Sequence, residues 1–164
     1  MKRWVIALAT VLILGVSNYS IYQRETLVND GHTLLLRLAP VDPRSLMQGD
    51  YMALRFTAAL EAQAHTALDQ LPSDGHLLLA LDANKVGQFV GFADQTPRQE
   101  NQLLMRYRIR NGRFKFASNA FFFEEGSADL YQQAQYGEFR VDDHGEAILV
   151  AMRNADLTVV GAQQ

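Results

Sequence analysis

Hydrophobic and polar positions change rhythm once along this chain, and the change divides it. From Trp4 to Tyr22 no charged side chain occurs, and apolar residues dominate "WVIALATVLILGVSNYSIY". A run of roughly 20 such residues is the length of a bilayer-spanning helix, with Trp4 at one end and Tyr19 and Tyr22 at the other as an interfacial belt. Nine Val, Ile and Leu side chains lie in it. On the translocon scale they favour insertion by roughly 3–5 kcal/mol, against which Ser17, Asn18 and Ser20 count. After Arg24 the pattern becomes one of short alternating segments, which predicts half-buried strands over 33–39, 51–58, 76–83, 86–92, 103–110, 113–116, 138–141 and 147–153.

The connections support antiparallel pairing. Asn111-Gly112 sits between two alternating runs, and a two-residue type I′ turn needs positive φ at both positions. "DANK" (Asp82 to Lys85) and "DDHG" (Asp142 to Gly145) are weaker hairpin signals. Two helices interrupt the strands. "TAALEAQAHTALDQL" (Thr57 to Leu71) is rich in helix formers, stops before Pro72 and puts Leu60, Ala64 and Leu68 on one side. In "SADLYQQAQYG" Ser127 is placed to cap a second helix that runs toward Gly137. The expectation is a β-rich antiparallel α+β domain with two short helices over residues 25–164, preceded by one N-terminal transmembrane helix within residues 1–24.

Charge orients this arrangement. Lys2 and Arg3 precede the apolar run, so the positive-inside rule leaves the N-terminus in the cytoplasm and exports the domain that follows. A cleaved signal peptide is the competing reading, because Gly15 to Ser17 offers small residues after the apolar stretch. Net charge is -3, which gives no basic surplus to attract nucleic acid. Cysteine is absent, which excludes disulfides, thiolate catalysis and Cys-ligated zinc.

Candidate chemistry concentrates in "LAPVDPRSLMQGDYMALRF" (Leu38 to Phe56). Strand alternation puts Met52, Leu54, Phe56 and Ala58 on one face, the expected core face, and Tyr51, Ala53, Arg55 and Thr57 on the other. Gly49 permits backbone conformations closed to other residues, and Asp50 is placed to accept backbone hydrogen bonds. Pro40 and Pro43 stiffen the loop, and Arg44 can pair in planar fashion with Asp42 or Asp50. The stretch reads as a braced loop entering a core strand, with Asp42, Arg44, Gly49, Asp50 and Tyr51 as candidate partner-binding residues and Leu54 and Phe56 as its core.

"GDYMALRF" resembles the signature of the GDYXXLXY protein family, a group of membrane-anchored bacterial proteins. The string matches at Gly49, Asp50, Tyr51 and Leu54 and departs at Phe56, where the family name calls for Tyr. A second stretch, "FFFEEGSADLYQQAQYGEFRVDDHGEAILVAM" (Phe121 to Met152), also resembles the family, at Glu124, Glu125 and Gly126 and again at Tyr136 and Gly137. The resemblance implies a single-pass protein of the bacterial inner membrane with a periplasmic domain. It also implies a multi-pass membrane protein as partner, and it carries no established activity.

Enzyme readings find little to rest on. An apolar anchor followed by Gly-Asp before a strand is somewhat similar to bacterial signal peptidases, but the position of their serine nucleophile is Val41 here, and the three lysines are Lys2, Lys85 and Lys115. His32, His65, His76 and His144 show no short ligand spacing, so no metal is expected. Glu124 and Glu125 are adjacent acids suited to the positive end of a helix start. The aromatic run Phe121 to Phe123 is expected in the core. No catalytic residue and no cofactor is assigned. The leading reading is a binding or accessory protein, and the alternative is an extracytoplasmic hydrolase using Asp42, Asp50, Glu124 and Glu125.

Overall fold

A computed structural model describes residues 2–40, 47–48 and 51–161, with the backbone alone at Lys2, Arg3, Val5, Ala7, Met47 and Gln48. One long helix, α1 (Lys2–Asp30), leads into β1 (His32–Arg37). Then come β2 (Met47–Gln48), β3 (Tyr51–Ala53), α2 (Thr57–His65) and a 3-10 turn (Leu68–Gln70). The remainder is β4 (Asp74–Leu81), β5 (Gly87–Phe92), β6 (Gln102–Arg110), β7 (Arg113–Lys115), β8 (Ala120–Phe122), α3 (Ala128–Tyr131), β9 (Tyr136–Val141) and β10 (Ala147–Arg153).

The described strands form three antiparallel sheets, ordered β1-β9-β10, β2-β3-β8 and β5-β4-β6-β7. The β-rich α+β expectation is met. All three turn signals close hairpins. Asn111 and Gly112 take φ of 53° and 66°, both in the left-handed region that a type I′ turn demands. Asp82 and Asp142 build the other two alike. Asp82 Oδ1 accepts the amides of Asn84 at 2.8 Å and Val86 at 2.9 Å, and Asp142 Oδ1 accepts those of His144 and Glu146, each at 2.9 Å.

One core joins the sheets. Leu34 and Leu36 of β1 meet Leu77 and Leu79 of β4, Met105 and Tyr107 of β6, Phe139 and Val141 of β9 and Met152 of β10. Period-2 alternation sends these side chains inward, while Leu35 and Leu78 on the opposite faces of β1 and β4 are buried as well. Gly75 lies directly opposite Tyr107 across β4 and β6, and the tyrosine ring folds over it: a Cβ on Gly75 would stand 2.7 Å from Tyr107 Oη. Tyr107 in turn packs edge-on against Phe114 at 5.0 Å and Phe92 at 5.9 Å.

Several expectations need correction. The helix expected to reach Leu71 ends at His65, where Thr66 turns extended, and only a 3-10 turn follows. Its buried face is Ala58 and Ala62, whereas Leu60 is 42% exposed and Ala64 is exposed. Small residues win because α2 packs closely against β1 and β5. The second helix is only four residues long, and Ser127 makes no side-chain cap. The strand expected to continue to Ala58 ends at Ala53, although its alternation holds beyond that point, with Phe56 bridging to Leu38. α1 runs six residues past the expected end of the anchor at Arg24.

Among the described residues no helix is long and apolar enough to cross a membrane, so the transmembrane helix expected over residues 1–24 is not borne out as a span. The uncharged run that suggested it includes Val5 and Ala7, whose side chains lie outside the description.

Candidate functional site

The two sequence stretches singled out above meet in space. β3 pairs with β8, setting Tyr51 opposite Phe122, Met52 opposite Phe121 and Ala53 opposite Ala120. β2 completes this small sheet, pairing Gln48 with Tyr51. Gly49 and Asp50, between those strands, and Asp42 and Arg44 before them lie outside the described residues, as does the bracing expected among them. Tyr51 is half-buried, with its ring 5.8 Å from that of Phe122.

Below this sheet the chain dives inward. Met52, Leu54, Phe56 and Ala58 are all buried, and the ring of Phe56 stands 5.4 Å from Phe139 and 5.8 Å from Phe116. Gly137 makes room for it: a Cβ there would lie 3.1 Å from Phe56 Cε1 and 3.2 Å from Leu149 Cδ1. Gly137 is thus the seat of the Phe56 ring. Asn119 fastens the join, taking the Leu54 amide on its backbone carbonyl at 2.7 Å and the Phe116 amide on its side chain at 3.1 Å.

The aromatic run expected in the core splits instead. Strand alternation turns Phe122 outward, where it is 74% exposed and is the most exposed large apolar side chain described after α1. Phe121 and Phe123 point the other way and hold Tyr131 of α3 at 5.0 and 5.1 Å. The chain then turns through Glu124, Glu125 and Gly126, all exposed, with φ of 83° at Gly126. Convergence of Glu124 and Glu125 with Asp42 and Asp50 falls outside the described residues. Among the described residues no cluster of three or more His, Asp or Glu is arranged to hold a metal ion.

Charged features missed in the sequence lie elsewhere. Glu138 is buried at 5% exposure on β9, bonded by Arg153 Nε at 2.7 Å with Arg140 at 3.8 Å. Directly opposite Tyr136 on either side stand Arg37 of β1 and Arg153 of β10. Arg37 and Tyr136 line a cleft of about 350 Å³ with Glu61, Asp82 and Gln88. A larger open groove of about 610 Å³ runs between the end of α1 and the β9–β10 hairpin, past Tyr19, Tyr22, His32, Asp143 and Glu146. His32 and Asp143 meet there at 3.3 Å.

Among the described residues, three groups have displaced proton affinities. The Arg106 guanidinium is held more firmly protonated by its hydrogen bond to Glu146 and by that carboxylate's charge, with Asp74 adding to both. Burial pushes the Tyr107 phenol up, with help from the charges of Asp94 and Asp74. The Asp156 carboxyl is held low by the Thr158 amide and hydroxyl. None of these groups lies on the β2-β3-β8 sheet, where Tyr51 and Phe122 stand ring to ring.

No curated protein and no solved structure matches this chain. The sequence model of the GDYXXLXY protein family, by contrast, matches residues 13–152, taking in the later part of α1, the motif strand and the β9–β10 hairpin, and the chain belongs to that family.

Proposed function

We propose that this chain is a membrane-anchored accessory protein. In this reading α1 is its single membrane pass with the N-terminus in the cytoplasm, and the domain over residues 25–164 stands on the periplasmic side of a bacterial inner membrane. The β2-β3-β8 sheet, with Tyr51 and Phe122 at its surface, docks on a multi-pass membrane protein. The chain binds and carries out no reaction of its own.

One observation carries the reading. Val11, Leu12, Ile13 and Leu14 of α1 are each more than half exposed, and consecutive helical positions lie about 100° apart, so apolar side chains stand out around the whole circumference. Trp4 is 82% exposed, and the main contacts of the helix with the β-rich part are with β9 and β10, near its C-terminal end. A helix apolar on every side needs burial in protein or lipid, and the described residues leave the apolar positions 11–14 exposed. A bilayer supplies it, with Tyr19 and Tyr22 at the boundary.

Alkaline carbonate extraction of membranes followed by protease protection tests the anchor. The chain is expected to stay in the pellet with the β-rich part cut only from the periplasmic side; release into the supernatant overturns the reading. Co-purification in mild detergent tests the partner, and Phe122→Ser is expected to weaken recovery of the multi-pass protein without unfolding the domain.

A further inference from the structure

The outward face of β6 and β7 carries a ladder of cations that the overall charge of -3 conceals. Arg106, Arg108 and Arg110 alternate along β6, while Tyr107 and Ile109 between them turn toward the core. All three reach one carboxylate. Asp74 Oδ1 accepts Arg106 Nη2 at 3.4 Å and Arg108 Nε at 3.2 Å, and Oδ2 accepts Arg110 Nη2 at 3.4 Å. Arg106 is also bonded by Glu146. The register then puts Lys115 directly opposite Arg108 and Arg113 directly opposite Arg110, with Phe114 between them turned inward.

Two consecutive rungs therefore set like charges face to face, an arrangement that destabilises a sheet. Five cations share this face with two carboxylates, and among the described residues no carboxylate pairs with Arg113 or Lys115. Asp74 fixes three guanidiniums while using a minority of their donors, because each guanidinium carries several N–H groups. The result is an ordered anion-receiving surface whose repulsion a bound polyanion would relieve.

The geometry points to an extended acidic segment of the partner protein as the occupant. Alternate β6 residues repeat at about 6.8 Å, and an extended chain with carboxylates at every second residue has the same repeat. Carboxylates at that repeat run alongside the ladder and add charge-assisted contacts on the donors that Asp74 leaves unused. A lipid headgroup layer lacks that linear repeat. The inference rests on the accessory reading above and names the chemistry of the partner's docking segment.

Fluorescence anisotropy tests it, using the purified full chain in neutral detergent and dye-labelled synthetic peptides. One peptide carries aspartate at alternate positions; a second has the same composition with its aspartates adjacent. The alternating peptide is expected to bind more tightly, with affinity falling as salt rises. Arg113→Glu converts the Arg110 rung to opposite charges, so its thermal midpoint is expected to hold or rise while peptide affinity falls roughly tenfold or more. Lys115→Gln is the second variant, expected to weaken binding in the same direction. Equal affinity for both peptides, unchanged affinity in both variants, or binding of phosphatidylglycerol-doped micelles in place of the peptide overturns the inference. Co-purification separates the two ideas: a partner recovered equally by wild type and Arg113→Glu removes the acidic segment and leaves the accessory role standing.

Discussion

Replacing Glu138 by Gln and, separately, Arg153 by Met should destabilise the fold by unequal amounts. Glu138 is 5% exposed and accepts Arg153 Nε at 2.7 Å, while Arg140 stands 3.8 Å away, beyond hydrogen-bond distance. Glu138→Gln keeps the shape and one acceptor for Arg153 and loses the charge assistance. A charged hydrogen bond contributes about 1.5–3 kcal/mol against about 0.5–1.5 for a neutral one, so the loss is about 1–2 kcal/mol. The stranded arginines soften it further, since their side chains are 32% and 27% exposed and water reaches them. Arg153→Met instead leaves a buried carboxylate with Arg140 as its remaining counter-charge, a situation that typically costs about 3–5 kcal/mol. Urea unfolding of the full chain in neutral detergent, followed by far-UV circular dichroism, measures both; unchanged slopes show that the compactness of the two states is preserved. A Glu138→Gln variant as unstable as Arg153→Met would refute the reasoning, because the order follows only from which charge water can reach.

Leu54→Ala should cost about 2–5 kcal/mol and Phe56→Ala about 3–5, measured in the same assay, since both side chains are buried in the common core. Gly75→Ala should lower the thermal midpoint by forcing Tyr107 off its glycine and away from Phe92 and Phe114; an unchanged midpoint would show that the ring yields freely. Tyr107 also predicts a pH effect. Burial raises its folded pKa above the ordinary 10.0, so stability is complete below pH 10.0 and falls as pH rises through the folded value. Tyr107→Phe should flatten that alkaline loss in a pH series of melting curves.

Much of the fold was legible because it depends on local signals. The Asn111-Gly112 turn needs two positive φ values, and aspartates at the start of the other two turns collect their own amides, so all three hairpins announce themselves within a few residues. The inward set Met52, Leu54, Phe56 and Ala58 was equally visible, since alternation survives where the strand itself ends at Ala53. Tertiary distance decided the rest. Ala58 and Ala62 are buried in place of Leu60 because close packing on β1 and β5 rewards small side chains, which helix propensity does not register. β2 and β8 are too short to show a period. Glu138 and Arg153 lie 15 residues apart and become a pair only through the β9–β10 register, and the arginine ladder needs β4 beside β6. Phe121 to Phe123 misled because a triple aromatic run looks uniformly apolar, while a strand turns its middle residue outward.

The pairing of β1 with β9 has a consequence for biosynthesis. His32 lies opposite Val141, so the first strand waits for more than a hundred residues of later chain before it finds its neighbour, and β10 is translated after that. At about 5–20 residues per second, the ribosome imposes a delay of several seconds or more between the emergence of α1 and closure of the sheet. During that interval the backbone pairing open to β1 is its single bridge to Val86, beside the Leu35 amide bonded to the Lys85 carbonyl at 2.9 Å. On the export route proposed above, a chain built this way would reach the translocation pore still threadable, with the strand that locks the domain among the last to pass through.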